Sequence, residues 1–379
     1  MSAPTLHTLH GQPSWSFKSS HVHAHLTRLG GHLAPVSFGL GAKTVTPFSV
    51  APWAEEKLGP EMPVLIKALR GDFFCAPFGG NGTPWRGEKH PPHGETANSI
   101  WRLQAFERAG ERVTFHARLD LGIRKGTAEK ALTLVDGHTA IYQRHTLTAH
   151  GPMPVGHHAM VKFPDEPGSG IVSTSRFTQA QVFPDMFERP ETFGYQALKP
   201  AATFSSLDKV PLQAGGTADL TKYPARLGFE DLVMLTADPK LTLAWTAVTF
   251  PKEKYVYFAL RDPRVLRHTI LWLSNAGRHY APWSGRHRSV LGIEDTMSYF
   301  HYGLAESAKP NPLNKKGIPT AHVLDPKKPL VVNYIIGVAA IPAGFDRVKE
   351  IRPAKDGIEL IAANGKRVSA AVDVGFLGR

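Results

Sequence analysis

Three short stretches of this sequence gather side chains able to move protons or orient a polar ligand. HPPHGETANSIW (90–101) places polar groups, His93 and Glu95 among them, between turn-forming prolines and a bulky tryptophan, as in a loop that enters a strand at a cleft. PMPVGHHAM (152–160) carries His157 and His158 in succession. On a strand, consecutive side chains point to opposite faces, so at most one of the two reaches a cleft. TILWLSNAGRHYAPWSGRHRSVLGIEDTMSYF (269–300) runs strand, turn-rich loop, strand, and its second apolar run ends on Glu294 and Asp295. Partial burial there would raise the pKa of Glu294 and suit it to act as a base near neutral pH. Taken singly, each group has a plainer explanation, because a satisfied structural histidine and a surface carboxylate are the commoner cases.

Metal binding is the competing chemistry for the same residue types. HVHAH places His21, His23 and His25 on one face of a strand, but alternate side chains there are about 7 Å apart, too far for three imidazoles to share one ion without a bend. His93-Gly94-Glu95 would need further ligands, and the P-C-x-x-C partner of zinc deaminases is absent. The expectation is therefore no metal. A cupin-like metalloenzyme using His21, His23, His25, His93 or His158 is the reading that metal analysis would test.

The elements that must position these groups read as strands. VTFHARL (113–119) alternates Val113, Phe115, Ala117 and Leu119 against Thr114, His116 and Arg118, the pattern of a half-buried strand. Runs rich in β-branched and aromatic residues begin at 140, 241, 254, 269 and 329, and no long amphipathic helix intervenes. Gly, Pro, Asn and Asp clusters such as PFGGNGTPWRG separate them. The pattern predicts an all-β protein, a large antiparallel β-sandwich or barrel. No linker or repeat divides it, so one domain over 1–379 is expected, with loops and short strands over 162–232. Asn364-Gly365 lies between two strand-like runs and predicts a hairpin at about 356–374.

Composition narrows the function classes. Apolar residues make up 42% and charged residues 20%, a globular balance. The formal charge of +12 comes from Lys and Arg spread along the chain, with no basic run interleaved with aromatics, so neither nucleic acid nor membrane is an expected partner. One denser patch, Arg278, His279, Arg286, His287 and Arg288, could draw an anionic ligand or be solvated charge. The single cysteine, Cys75, sits in the apolar run DFFCAPF and reads as a buried structural thiol. The first residues lack the pattern of a secretory signal, which predicts a cytoplasmic protein.

Taken in order, these segments resemble the galactose mutarotase-like superfamily over about Val22 to Pro342. LTRLGGHLAPVSF is similar to that family's opening strand pair, and LRGDFFCAPFGG resembles the R-G-G-x-P-x-x-x-P-x-F-G stretch of its hexose-phosphate mutarotase branch, with Arg70 at the arginine. HGETANSIW is similar to the H-G-x-x-x-N-x-x-W motif of the same branch, which brings forward His93, Asn98 and Trp101. His158 fits the family's general acid, though Ala159 and Met160 stand where an aromatic pair is usual, and a one-residue slip to His157 stays open. VLGIEDTMSYF resembles the family's I-E-P strand, with Glu294 as the base and Asp295 in place of proline. Phosphate-reading members carry Arg just before the motif's Asn, whereas this chain has Ala97.

The resemblance implies a supersandwich fold and an aldose 1-epimerase (mutarotase) that uses neither cofactor nor metal. Glu294 would take the proton of the anomeric hydroxyl while His158 protonates the ring oxygen, and the two would exchange roles on reclosure. Arg70, His93 and Asn98 would orient hydroxyls, and Trp101 or Trp272 would stack on the ring. The partner would be a monosaccharide or sugar derivative, anionic sugars included because of the basic patch. The alternative is a noncatalytic carbohydrate-binding or sensing protein of the same fold.

Overall fold

The inner surface of a sandwich and the two outer surfaces that flank it account for nearly every apolar strand residue. The structure, a computed structural model, describes residues 4–379. One layer is a nine-stranded antiparallel sheet running, in spatial order, Lys222–Tyr223, Gly170–Thr174, Ala244–Phe250, Tyr255–Arg261, Leu330–Ala340, Ala140–Thr148, Gly126–Val135, Arg112–Leu121 and Arg102–Ala109. The facing layer is built from Phe177–Val182, Phe229–Ala237, His268–Asn275, Val290–Met297, Val155–His157 and Phe74–Cys75, with Ala159–Lys162 also paired to Val290–Met297. A five-stranded N-terminal sheet, Leu6–Leu9 to Lys43–Val45 in sequence order, adds to the same core.

Alternation divides each strand between compartments. Val233, Leu235, Leu271 and Leu273 enter the core between the layers, while Leu232, Met234, Ile270 and Trp272 line a separate apolar cluster on the other side of their sheet. Both faces are covered, so the middles of these strands, Leu232–Leu235 and Ile270–Leu273, are continuous apolar runs rather than alternating with polar residues. A C-terminal sheet, Val348–Ala354, Gly357–Ala362 and Arg367–Ala370, covers the outer face of the nine-stranded sheet through Ile351, Ile358 and Leu360. Its last two strands pair Ile358 with Ala370 through Ile361 with Arg367, and Gly365 takes the positive φ of 86° in the turn between them.

The half-buried strand read at 113–119 lies within Arg112–Leu121, with Val113, Phe115, Ala117 and Leu119 inward. The remaining strand-like runs fall on Ala140–Thr148, Ala244–Phe250, Tyr255–Arg261, His268–Asn275 and Leu330–Ala340. The only α-helices among the described residues, Val64–Ala68 and Leu304–Ala308, are five residues each. No helix among them is long and apolar enough to cross a membrane.

Candidate functional site

Strand register brings His158 and Glu294 together. Val290–Met297 pairs Thr296 with Gly156 and Ile293 with Ala159, so at the intervening positions Glu294 falls opposite His158 and Asp295 opposite His157. Directly opposite residues share a face, and adjacent ones do not. His158 Nε2 accordingly lies 3.3 Å from Glu294 Oε1 on the outer side of the sheet, while His157 and Asp295 point between the layers. The ladder opens at His158, whose backbone N–H donates to the Phe73 carbonyl at 3.0 Å and to Asp72 Oδ1 at 3.1 Å. Gly292 gives the pair room: a Cβ there would come within 2.9 Å of Trp272 Cβ and 3.1 Å of Glu294 Oε1.

His158 and Glu294 line a cavity of about 140 Å³. A cavity of roughly 150 Å³ holds benzene, so the space here is on the scale of a six-membered ring. His93 and His301 line it as well, their Nε2 atoms 3.0 Å apart. Phe73 stacks on the His158 ring at 4.6 Å between centroids and meets His93 edge-on at 5.8 Å, fixing both imidazoles. Trp272 and Trp283 line it too, as do the aliphatic side chains of Leu65, Ile66 and Leu69.

Three of the residues expected at the site do not line this cavity. Each nitrogen of the Arg70 guanidinium donates to backbone, to the carbonyls of Ala68 (3.1 Å), Leu9 (2.9 Å) and His10 (2.8 Å), which ties the N-terminal hairpin to the body. Trp101 is buried, donating from Nε1 to the Thr96 carbonyl at 2.9 Å beneath the Lys130 ammonium. Asn98 acts at one remove: its amide donates to the carbonyls of Pro92 and Gly94, both at 2.7 Å, and its Oδ1 accepts the N–H of Leu65 at 2.9 Å. It thereby joins the His93 loop to the aliphatic wall. His93 itself holds φ of 60°, secured by its N–H to the Gly79 carbonyl at 2.7 Å. Trp272 does line the cavity, but its ring is packed by others, with His287 stacked on it at 5.5 Å and the Arg278 guanidinium 5.3 Å from its centroid.

No protein-family model matches the sequence, and a search of the curated proteins finds no match. Solved structures do match. A galactose mutarotase-like protein from Clostridium acetobutylicum superposes with a TM-score of 0.62 at 12% identity, covering 89% of this chain and 98% of that one. A candidate aldose 1-epimerase from Klebsiella pneumoniae gives 0.61 at 13% identity, covering 88% and 82%. Another from Escherichia coli K12 gives 0.58 at 12%, covering 87% and 100%.

This chain has the galactose mutarotase-like fold.

Within that fold, burial favours the neutral forms of the cavity's histidines and of Glu294. Burial lowers His158 to about 3, with the His301 imidazole adding to the effect, and lowers His301 itself to about 4. His93 is held well below the usual histidine range for the same reason. Burial raises Glu294 to about 8 against the opposing charge of Arg278. Attraction across 3.3 Å favours the opposite, ionised arrangement of His158 and Glu294, while desolvation of two buried charges favours the neutral acid and the neutral imidazole. His158 Nδ1 and Glu294 Oε2 are buried and have no protein partner.

Of the basic patch, only Arg278 lines the cavity. It is locked to Glu188 (Nε to Oε1, 2.6 Å) and packed 4.5 Å from the Trp283 ring centroid, and burial notwithstanding, Glu188 and Glu230 hold it charged. Arg286 pairs with Glu56 and Arg288 with Asp165 at the surface, and His287 is buried with Nδ1 2.7 Å from Ser274 Oγ.

Several contributors escaped sequence reasoning. His301 follows a tight turn in SYFHYG, and nothing in its spacing marks it. Glu230 opens the apolar run EDLVML, a buried-carboxylate signal that was there to be read, and it accepts from Trp272 Nε1 at 2.8 Å and from Ser274 Oγ at 2.9 Å. Among the described residues, no cluster of three or more His, Cys, Asp or Glu side chains has the arrangement of a metal site; His23 and His25 lie on the strand Val22–Thr27 of the N-terminal sheet, His21 in the bend before it, and none of the three lines the cavity.

Proposed function

We propose that this chain is an aldose 1-epimerase, interconverting the anomers of a monosaccharide by acid–base opening of the ring. The observation that carries the reading is the approach of His158 Nε2 to Glu294 Oε1 at 3.3 Å in a cavity on the scale of a six-membered ring. Mutarotation requires one group to take the proton of the anomeric hydroxyl while a second gives one to the ring oxygen, two atoms bound to the same carbon. Two proton carriers in van der Waals contact can reach both.

The proton count closes on this pair. With Glu294 as carboxylate and His158 as imidazolium, ring opening moves one proton from the anomeric oxygen to Glu294 and one from His158 to the ring oxygen. The pair left beside the open-chain aldehyde is the carboxylic acid and neutral imidazole that burial favours. Rotation about C1–C2 and reclosure return both protons. The ionised pair needed by the cyclic sugar is stabilised by the hydrogen bonds that its anomeric hydroxyl and ring oxygen supply to the unpartnered cavity. His93 and His301, neutral and facing the same space, would hold the remaining hydroxyls.

The test is anomer exchange, followed by polarimetry or NMR on freshly dissolved aldoses. Acceleration by the native protein and its loss in Glu294→Gln are expected. Saturable sugar binding with no acceleration would support the noncatalytic carbohydrate-binding alternative instead.

A further inference from the structure

We infer that the ligand of this cavity carries one carboxylate, seated on the open edge of the Arg278 guanidinium, so that the aldose taken is a uronate in preference to the parent hexose or its 6-phosphate. The choice of uronate rests on the mutarotase reading. An aldose oxidised to a carboxylate keeps the hemiacetal that ring opening needs only when the oxidised carbon is the terminal one.

Two observations lead to it. The first is how Arg278 is held. Its backbone is bridged to Gly194, and Glu188 accepts from its Nε at 2.6 Å. Gly194 leaves room for that carboxylate, since a Cβ there would come within 2.2 Å of Glu188 Oε2. Three aromatic rings pack about the guanidinium, their centroids 4.5 Å (Trp283), 5.3 Å (Trp272) and 5.3 Å (Phe187) away. One hydrogen bond and this packing fix the group, yet no described residue accepts from Nη1 or Nη2. Those two nitrogens form an edge that can receive a carboxylate through two parallel hydrogen bonds, a geometry an ammonium does not offer. The edge belongs to the cavity of the His158–Glu294 pair, and Trp272 lies against both, 5.3 Å from the guanidinium and 5.7 Å from the His158 ring.

The second is the charge of the remaining lining. Burial favours neutral His93, His158 and His301, and no lysine or second arginine lines the cavity. A phosphate brings nearly two charges and three acceptor oxygens, and beyond Arg278 it meets no cation to share them. A hydroxymethyl group brings one uncharged oxygen to an edge with two donors, and its hydrogen bonds are the weaker for it. A single carboxylate matches the edge in both charge and shape.

The experiment compares D-glucose, D-glucuronate, D-glucuronamide and D-glucose 6-phosphate on the native protein, with galactose against galacturonate and mannose against mannuronate beside them. Anomer exchange is read by NMR and binding by calorimetry. For at least one sugar the uronate is expected to exceed its parent hexose by about 10–100-fold in kcat/KM, mostly through KM, as hydrogen bonds to a charged group would give. The amide, which keeps the shape and loses the charge, should fall back toward the hexose, and the 6-phosphate should gain nothing over glucose. Arg278→Lys keeps the charge without the fork, and Arg278→Gln combined with Glu188→Gln removes both charges together; each is expected to erase most of the uronate preference. Binding and use of the parent hexose at or above the uronate in every pair overturns the inference. So does a preference for the 6-phosphate over every uronate, or a uronate preference unchanged in both variants. Tighter binding of a uronate without exchange upholds the Arg278 site and removes the mutarotase reading. Exchange indifferent to the carboxylate does the reverse, and failure of every sugar both to bind and to react removes both.

Discussion

The two faces of one strand crossing handle buried charge in opposite ways. His157 and Asp295 point between the sheets, and the carboxylates there have every oxygen partnered. Asp295 Oδ1 accepts from Thr269 Oγ1 at 2.7 Å and meets Arg261 at 2.6 Å, while its Oδ2 accepts from Tyr334 OH at 2.8 Å. Asp72 takes Gln143 Nε2 at 2.6 Å and His157 Nδ1 at 2.9 Å on one oxygen and the His158 N–H on the other. One residue along each strand, His158 and Glu294 have each other and little else. The difference teaches how the fold divides buried carboxylates: one kind is saturated by the fold, and the other is left short of partners that a ligand could supply.

Substitutions at the paired positions should separate along that line. The largest effect is expected for Glu294→Gln, which should slow anomer exchange by about 10²–10⁴-fold. Because the amide imitates the neutral acid, its urea midpoint should stay near that of the native protein. Asp295→Ala should behave in the opposite sense. It strands Arg261 in the interior and should cost about 3–5 kcal/mol in chemical denaturation; a loss below about 1 kcal/mol would erase the contrast between the two faces. For the histidines, His158→Gln should remove activity from a folded protein, and His157→Leu should cost about 1–3 kcal/mol by removing one of the hydrogen bonds to the buried Asp72 carboxylate.

The pH dependence of stability sharpens the comparison further. His158, with an ordinary value of 6.5 and about 3 in the folded protein, contributes stability that is complete above pH 6.5 and is lost as the pH falls toward 3. Glu294 works the other way: its neutral form contributes stability present below 4.5 and lost as the pH rises through about 8. Each proton changes the slope by about 1.4 kcal/mol per pH unit. Melting temperatures measured across pH 5–9 should therefore lose their acid-side slope in part in His158→Gln and their alkaline-side slope in part in Glu294→Gln; unchanged profiles would show that neither group is kept neutral by burial. The smallest effect belongs to the surface, where Arg286→Ala should change stability by no more than about 1 kcal/mol despite its two contacts to Glu56.

Much of this protein was open to reading from its sequence because strand periodicity is local. The alternation in 113–119, the apolar runs from 241 and 269 and the turn at Asn364-Gly365 each encode their own structure, and the same rule established that His157 and His158 face apart. Resemblance pointed to His158 and Glu294, and to His93 and Trp272 beside them. What local pattern could not supply was the company each side chain keeps. Arg70, Asn98 and Trp101 have the chemistry of ligands, yet backbone carbonyls claimed all three, those of the distant Leu9 and His10 for Arg70 and those of the His93 loop itself for Asn98 and Trp101. Conversely, His301 and the Arg278–Glu188 pair reach the cavity only because remote loops converge there. The sequence by itself determined which faces its strands present; the long-range register between Val290–Met297 and the segment around His158, together with the loops packed outside it, decided which groups meet and which are left unsatisfied. That division follows from the physics, since side-chain direction repeats every two residues along one strand, whereas partnership depends on which distant strand lies opposite.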